Sequence, residues 1–398
     1  METAPPSAGK CLIVINCGSS SLKFAVFAVD GETVLLKGLA ERLGSTEAAL
    51  KIDRNGETTV IPIPAASHHT ALGEVIARMT GLHPVGIGHR VVHGGEEFTG
   101  SVVIDDGVLA AVERCSSLAP LHNPVNLIGV RTARELFPDL PQVAVFDTAF
   151  HQTLPPEAFH YAIPYEHYEN LKVRRYGFHG TSHHYVSLEA ARLLERCPQD
   201  TSLITMHLGN GCSACAVKDG RSVDSTMGLT PSEGLVMGTR SGDVDPALHQ
   251  FLQDQTGMRL SEITAMLNSR SGLLGLSGLS NDMRTLAEAA ASGHSRARLA
   301  IEVFCYRLAK SVCGLMAALD RIDALVFTGG IGENSAAVRT LTTAHMKILD
   351  IDLDERKNAR HGRNDGGRIS SSDSLIPCLV IPTNEELMIA RETLRLIS

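Results

Sequence analysis

Residues 12–27, "LIVINCGSSSLKFAVF", decide the fold. An apolar run to Ile15 gives way to a turn of Asn16, Gly18, Ser19, Ser20 and Ser21, and Leu22–Val26 restores a strand-like pattern. The same design returns at residues 203–217, "LITMHLGNGCSACAV", as strand, Asn/Gly/Ser turn and strand. A third stretch, "LVFTGGIGENS" at 325–335, leads from a strand into a glycine turn and a helix. Two matching hairpins and a glycine-rich strand-to-helix turn suggest a duplicated pair of domains, with ligand expected in the cleft between them.

The rest of the chain fits that frame. Buried strands are expected at Cys11–Ile15, Gln142–Phe146, Leu203–Leu208, Ala324–Phe327 and Leu379–Ile381. Between them, helical periodicity runs over Asn126–Phe137, Ser182–Glu195 with a Thr/Ser cap, and Arg296–Leu319. In the last of these, Leu299, Val303, Tyr306, Val312 and Met316 fall near one face. A final helix opens at Thr383-Asn384-Glu385-Glu386, a capping residue followed by acids. Strands alternating with helices argue an α/β protein. Pro155-Pro156 and Pro164 mark a seam; Ser269–Ser280 and Arg360–Ser374 read as loops.

Composition narrows the function. The chain has 398 residues, 43% hydrophobic and 20% charged, enough for two domains. A net charge of -8 argues against a nucleic-acid partner, while a local cationic cleft for a small anion remains compatible with it. The opening "METAPPSAGK" lacks the apolar core of a secretion signal and reads as a disordered tail over residues 1–9. Arg307 and Lys310 interrupt the longest apolar helix, so no membrane partner is expected. Of nine cysteines, Cys212 and Cys215 form a C-x-x-C with no second pair or histidine set beside it. The thiols read as buried, reduced residues of a cytosolic protein.

Several motifs could carry chemistry. Backbone N–H groups and hydroxyls in the Gly-Ser turn can cradle an anion, Lys23 adds a point charge, and Asn16 offers an oxygen suited to Mg²⁺. A plain hairpin is the competing reading of that turn, and of His207-Leu208-Gly209-Asn210-Gly211. Gly329–Asn334 is neither a Walker A motif nor a clean G-x-G-x-x-G, but a strand-to-helix turn can accept a nucleotide. Arg90 beside His89 and His93, His179 in "YGFHGTSHH", and Arg240 in "GTRSGDVDP" lie in glycine-rich loops that fit carboxylate and phosphate oxygens. Asp147 ends a buried strand, where open α/β sheets direct residues toward ligand.

Together these motifs resemble the acetokinase family. The matching stretches are "NCGSSSLKF", "GHRVVHGG", "LAPLHNP", "VFDTAFH", "RRYGFHGTSH", "HLGNG", "STMGLTPSEGLVMGTRSGDVDP", "FTGGIGEN" and "IPTNEELMIARET", in family order from about residue 11 onward. The resemblance implies two RNase-H-like domains of the ASKHA type: residues 10–150 with 385–398, and residues 151–384. It implies a cytoplasmic homodimer that reversibly phosphorylates acetate to acetyl phosphate with Mg-ATP, Mn²⁺ being able to substitute. Phosphorylation of propionate or another short carboxylate is the alternative within the family.

Residue by residue, the resemblance implies Asn16 and Glu385 as the Mg²⁺-associated pair. Asp147 matches the catalytic acid, and His179 and Arg240 the transition-state stabilisers. Arg90 would bind the substrate carboxylate, with Val92, Leu121, Phe178 and Pro231 around its methyl group. Ser19, Ser21, Lys23, His207, Leu208, Gly209, Asn210, Gly211, Asp282, Met283, Arg284, Gly330, Ile331, Gly332, Glu333 and Asn334 match nucleotide-binding positions.

Overall fold

Strand β1 (Lys10–Gly18) runs antiparallel to β2 (Ser21–Ala28) in register to the last pair, Gly18 opposite Ser21, so Ser19 and Ser20 form a two-residue turn. A computed structural model describes residues 9–30, 32–120 and 122–398. The tail expected over 1–9 lies, but for Gly9, outside the described residues, as does Leu121. Contacts divide the described chain at Phe150/His151 and again at Thr383/Asn384, the C-terminal helix joining the first unit. Pro155, Pro156 and Pro164 therefore lie inside the second unit, and the division comes just before them.

In the first unit, β3 (Val34–Glu41), β4 (Ala49–Arg54) and β5 (Glu57–Pro62) continue the antiparallel meander. Strand β6 (His83–Val91) pairs parallel with β1, and β8 (Gln142–Phe146) parallel with β6. The short β7 (Val102–Val103) edges β8, giving the order β5-β4-β3-β2-β1-β6-β8-β7. The second unit holds β9 (Ser202–Leu208), β10 (Cys212–Lys218), β11 (Arg221–Ser225), β12 (Ala324–Thr328) and β13 (Cys378–Val380), ordered β11-β10-β9-β12-β13. Here too the first three strands in sequence are antiparallel and the last two join β9 in parallel. The run β3-β2-β1-β6-β8 and the whole second sheet thus share one topology. The duplication read from the two turns is a duplication of sheets.

Parallel strands must be covered on both faces, which explains their unbroken apolar runs. Ile13, Ile15, Phe24, Val26, Leu36 and Ile87 belong to one core cluster of the first unit. The C-terminal helix Glu385–Ile397 lies close over β6, because that strand carries glycines: a Cβ on Gly88 would sit 2.3 Å from Thr393 Oγ1 and 2.6 Å from Ile389 Cγ2. That seat fixes where the helix begins, and hence where Glu385 stands.

Some expectations need correction. Helix Gly180–Leu193 is capped by His179, in the left-handed region at φ 56°, and no side chain caps it. Helix Ser295–Leu315 buries Ala297, Ala300, Ile301, Phe304, Cys305, Leu308, Val312 and Leu315, whereas Leu299 and Tyr306 are half exposed. Of the expected face, Val312 is buried, while Leu299 and Tyr306 lie on the opposite side of the helix; the small residues Ala and Cys line much of the buried face. The segment expected as a loop at Ser269–Ser280 contains helix Gly272–Ser277. The polar stretch 360–374 is irregular as expected, yet Ile369 and Ser370 are buried within it. The antiparallel strands β3–β5 break the simple strand-helix alternation. Cys212 and Cys215, three apart on a strand, point to opposite faces, which no single metal could bridge. No group of three or more His, Cys, Asp or Glu among the described residues is placed to hold a metal.

Candidate active site

Two sets of polar groups stand at the strand ends, one in each unit. In the first, β1, β6 and β8 run parallel and finish together, so Asn16, Arg90 and Asp147 meet at their C-terminal edge. Asp147 sits one residue past β8, its N–H donating to Val91 O at 3.0 Å. Arg90 donates to both carboxylate oxygens, Nε to Oδ1 at 3.2 Å and Nη2 to Oδ2 at 2.5 Å. Its Nη1 reaches Asn16 Oδ1 at 3.4 Å. Glu385, first residue of its helix, stands 4.0 Å from Arg90 Nε. The Asp147 side chain is 2% exposed, while Arg90 and Glu385 are each 21% exposed. Burial pushes the Glu385 carboxyl pKa up, Asp147 and Glu386 push the same way, and Arg90 only partly offsets them.

Two asparagines that sequence reading did not single out hold this set. Both lie on helix Asn123–Leu136, three residues apart and so on one face. Asn126 accepts from Val92 N–H at 3.0 Å and donates to Cys17 O at 3.0 Å, tying the end of β1 to the loop after β6. Asn123 accepts from His93 N–H at 3.1 Å and donates to His93 O at 2.9 Å. Val92 is buried beside this scaffold. The spacing in "HNPVN" was the available signal. Lys23, on β2, pairs with Glu386 and lines a groove of about 430 Å³ along β2, β3 and β4. Ser19 is exposed and Ser21 half-buried in the β1–β2 turn.

The second unit gathers its own set. His179 caps helix Gly180–Leu193 and its ring lies 4.3 Å, centroid to centroid, from that of His207 at the end of β9. A Cβ added to Gly211 would fall 3.3 Å from His179 Nε2 and Cε1 and 3.4 Å from Arg240 Nη1. Both side chains therefore reach one point above the β9–β10 turn. Arg240 donates to Pro231 O at 2.9 Å and meets no carboxylate among the described residues. Burial pulls its pKa down, so the unneutralised cation carries a desolvation cost that an anion could offset. Phe178 is buried, its carbonyl accepting from His151 Nε2 at 3.0 Å.

The expected nucleotide segments of this unit come together. Asn210 O accepts from Gly238 N–H at 3.0 Å, and Asn210 Oδ1 from Asn281 Nδ2 at 2.9 Å. Gly329 (φ +74°) packs so closely on the end of β9 that a Cβ would lie 2.7 Å from Leu208 O. Helix Gly329–Asn334 starts there, with Gly330 facing open space. Glu333 Oε1 accepts from Gly329 N–H at 3.0 Å and Thr383 N–H at 3.1 Å, so its carboxylate staples the turn from within. Asn334 Nδ2 donates to Gly330 O at 3.0 Å. Buried Arg339 donates to Gly332 O at 2.7 Å, capping the same short helix. Asp282 caps helix Met283–Ala291 and pairs with Arg284, and Met283 is buried; all three have local structural roles. Ser19, Ser21 and Lys23 lie in the other unit.

Comparison with known proteins places the chain. The acetokinase family model matches residues 11–391. An acetate kinase of Stutzerimonas stutzeri is 54% identical over 389 residues, covering 97% of this chain and 98% of that protein. One from Deinococcus radiodurans is 55% identical, covering 96% of each. Among solved structures, a propionate kinase from Francisella tularensis superposes with a TM-score of 0.91 at 45% identity, covering 97% of this chain and all of that one. Porphyromonas gingivalis acetate kinase gives 0.91 at 41%, covering 98% and 100%. Two α/β units with one shared sheet topology, each presenting cations and acids at strand ends, therefore sit in a family of carboxylate kinases. The chain belongs to the acetokinase family.

Proposed function

We propose that the protein transfers the γ-phosphoryl group of ATP directly and in line to acetate, reversibly, giving acetyl phosphate and ADP. The observation that carries this reading is the convergence of His179 and Arg240 on one point beside Gly211, with Arg240 lacking a carboxylate partner among the described residues. A transferring phosphoryl group spreads negative charge over its equatorial oxygens, and two donors fixed at one point suit it. Acetate, with a pKa far below 7, arrives ionised and needs no general base. The obstacle is bringing an anion to a polyanion, so cations and dipoles supply most of the catalysis.

Arg90 binds the acetate carboxylate in this reading. Its guanidinium is held on one edge by both oxygens of Asp147, which leaves the remaining N–H groups for substrate. Asp147 is then a positioning residue for Arg90. Val92, Phe178 and Pro231, with Leu121, would bound the methyl group. The β9–β10 turn, the Gly329–Asn334 turn and Asp282–Arg284 would receive the nucleotide; Lys23 and the serine turn would reach its phosphates.

An amide oxygen and a carboxylate suit Mg²⁺, which prefers few protein oxygens, several waters and phosphate. Asn16 Oδ1 has only a long hydrogen bond, and the Glu385 carboxylate is held up in pKa by burial, a combination a cation would relieve. Asn16 and Glu385 would hold the ion, which when bound screens phosphate charge; Mn²⁺ could substitute. A homodimer and a cytoplasmic setting belong to the same family-based reading. No helix of the described residues is long and apolar enough to cross a membrane.

The similarity to a propionate kinase keeps a second carboxylate in view. A panel of acetate, propionate, butyrate and a hexose, with ADP release as readout, tests the proposal. Acetate is expected to give the highest kcat/KM and the hexose none; hexose turnover or equal rates across the acids would refute it.

A further inference from the structure

We propose that Thr205, His183 and Ser213 form a hydrogen-bonded chain that holds His179 in the tautomer carrying its proton on Nε2. The proposal deepens the reading above, since it rests on His179 facing the transferring phosphoryl group. The chain is continuous within the second unit. Thr205 Oγ1 lies 2.7 Å from His183 Nδ1, His183 Nε2 lies 2.8 Å from Ser213 Oγ, and Ser213 Oγ lies 2.9 Å from His179 Nδ1. Thr205, His183 and Ser213 are each fully buried, so every proton must find a partner inside the protein.

Proton counting sets the direction. If Thr205 donates to His183 Nδ1, then His183 Nε2–H donates to Ser213, and the single Ser213 proton goes to His179 Nδ1. Each hydroxyl proton then has an acceptor, and the His179 proton lies on Nε2, the atom that reaches the point above Gly211. Run the other way, His183 donates to Thr205, whose own buried proton meets no acceptor among the described residues; such an orphan costs about 1–3 kcal/mol. A neutral His183 is required in either direction, and burial holds its pKa well below the ordinary histidine value. The consequence is chemical. With Nε2 protonated, His179 donates to a phosphoryl oxygen; with Nδ1 protonated instead, it would present a lone pair to an anion. Ser213 and Thr205 are thus positioning residues that touch no substrate.

The test is ¹⁵N NMR of histidine-labelled protein, with the His179 signals assigned by loss in His179→Gln, alongside kinetics. In the unsubstituted protein, the His179 shifts at neutral pH are expected to show Nε2 protonated and Nδ1 bare. Ser213→Ala and the near-isosteric Thr205→Val should each mix the tautomers and lower kcat roughly tenfold, with KM for ATP and acetate within about twofold. Ser213→Thr, which keeps the hydroxyl, should restore both. Protonated Nδ1 in the unsubstituted protein, or unchanged shifts and kcat in Ser213→Ala and Thr205→Val, would overturn the chain. Full activity of His179→Gln would instead refute the role of His179, a separate outcome.

Discussion

Asp147 grips Arg90 along one edge of its guanidinium, with hydrogen bonds to Nε and Nη2 of 3.2 and 2.5 Å. The carboxylate is almost fully buried while the arginine keeps a fifth of its side chain exposed, so one partner anchors and the other reaches outward. Asp147→Asn keeps the shape and removes the charge. A half-paired buried cation typically loses several kcal/mol. We expect kcat/KM for acetate to fall at least about 100-fold, with KM for acetate raised. A pH–rate profile that merely loses one ionisation, with KM for acetate unchanged, would make Asp147 an acid/base group instead.

Gly211 is the floor beneath His179 and Arg240. A methyl there lies 3.3 Å from the His179 ring, tighter than ordinary contact, and 3.4 Å from Arg240 Nη1, at the near limit of it, so the imidazole must give way. Gly211→Ala should lower kcat by roughly tenfold or more at little cost in Tm, because the clash is with side-chain ends and not the core. Thermal melts and steady-state kinetics on the same sample check it.

How much of this was legible beforehand depended on whether a residue's signal was local. The β1–β2 and β9–β10 turns were visible because Asn, Gly and Ser cluster in sequence, and their repetition disclosed the duplicated sheets. Arg90, Asp147, His179 and Arg240 stood out as charged residues in glycine loops or at strand ends. Asn123, Asn126, Ser213 and Thr205 did not, because each looks like an ordinary helix or strand residue until the fold brings its partner from 11 to 109 positions away. Helix Ser295–Leu315 was found, but only Val312 of its expected face is fully buried, since alanine and cysteine carry a weak hydrophobic signal although they are what permits close packing. Asp282 is a further lesson: its family match and its helix cap are compatible, and only the second is a property of the fold.

Val92 offers a specificity prediction. It is buried and its N–H is fixed by Asn126, so in the proposed methyl pocket its side chain would have little freedom to retreat from a longer substrate. One methylene in such a pocket is worth about 1–3 kcal/mol. Acetate should exceed propionate in kcat/KM, and Val92→Ala should narrow the ratio by about tenfold. Equal use of both acids by the unsubstituted protein would sink this.

His89 gives a stability prediction. It is buried on β6 with Nε2 at 2.8 Å from Gln142 Oε1, and burial pulls its pKa down to about 4 despite that hydrogen bond. Burial does the same to His93. The folded state binds fewer protons than the unfolded one between about 6.5 and 4, so stability is full above pH 6.5 and falls as pH drops toward 4. Each ring can account for up to about 3 kcal/mol over that window. Urea midpoints by circular dichroism should decline from pH 7 to pH 5, and His89→Gln should flatten the decline. An unchanged slope would mean that His89 does not titrate as its surroundings dictate.

The central claim is that a carboxylate, held by Arg90, accepts phosphoryl from ATP. The most direct measurement traps the product with hydroxylamine in a mixture of protein, ATP, Mg²⁺ and acetate. Acetohydroxamate should accumulate in step with ADP, depend on Mg²⁺, and fall by at least about 100-fold with Arg90→Ala. ADP release without hydroxamate, or hydroxamate formation indifferent to Arg90, would contradict it.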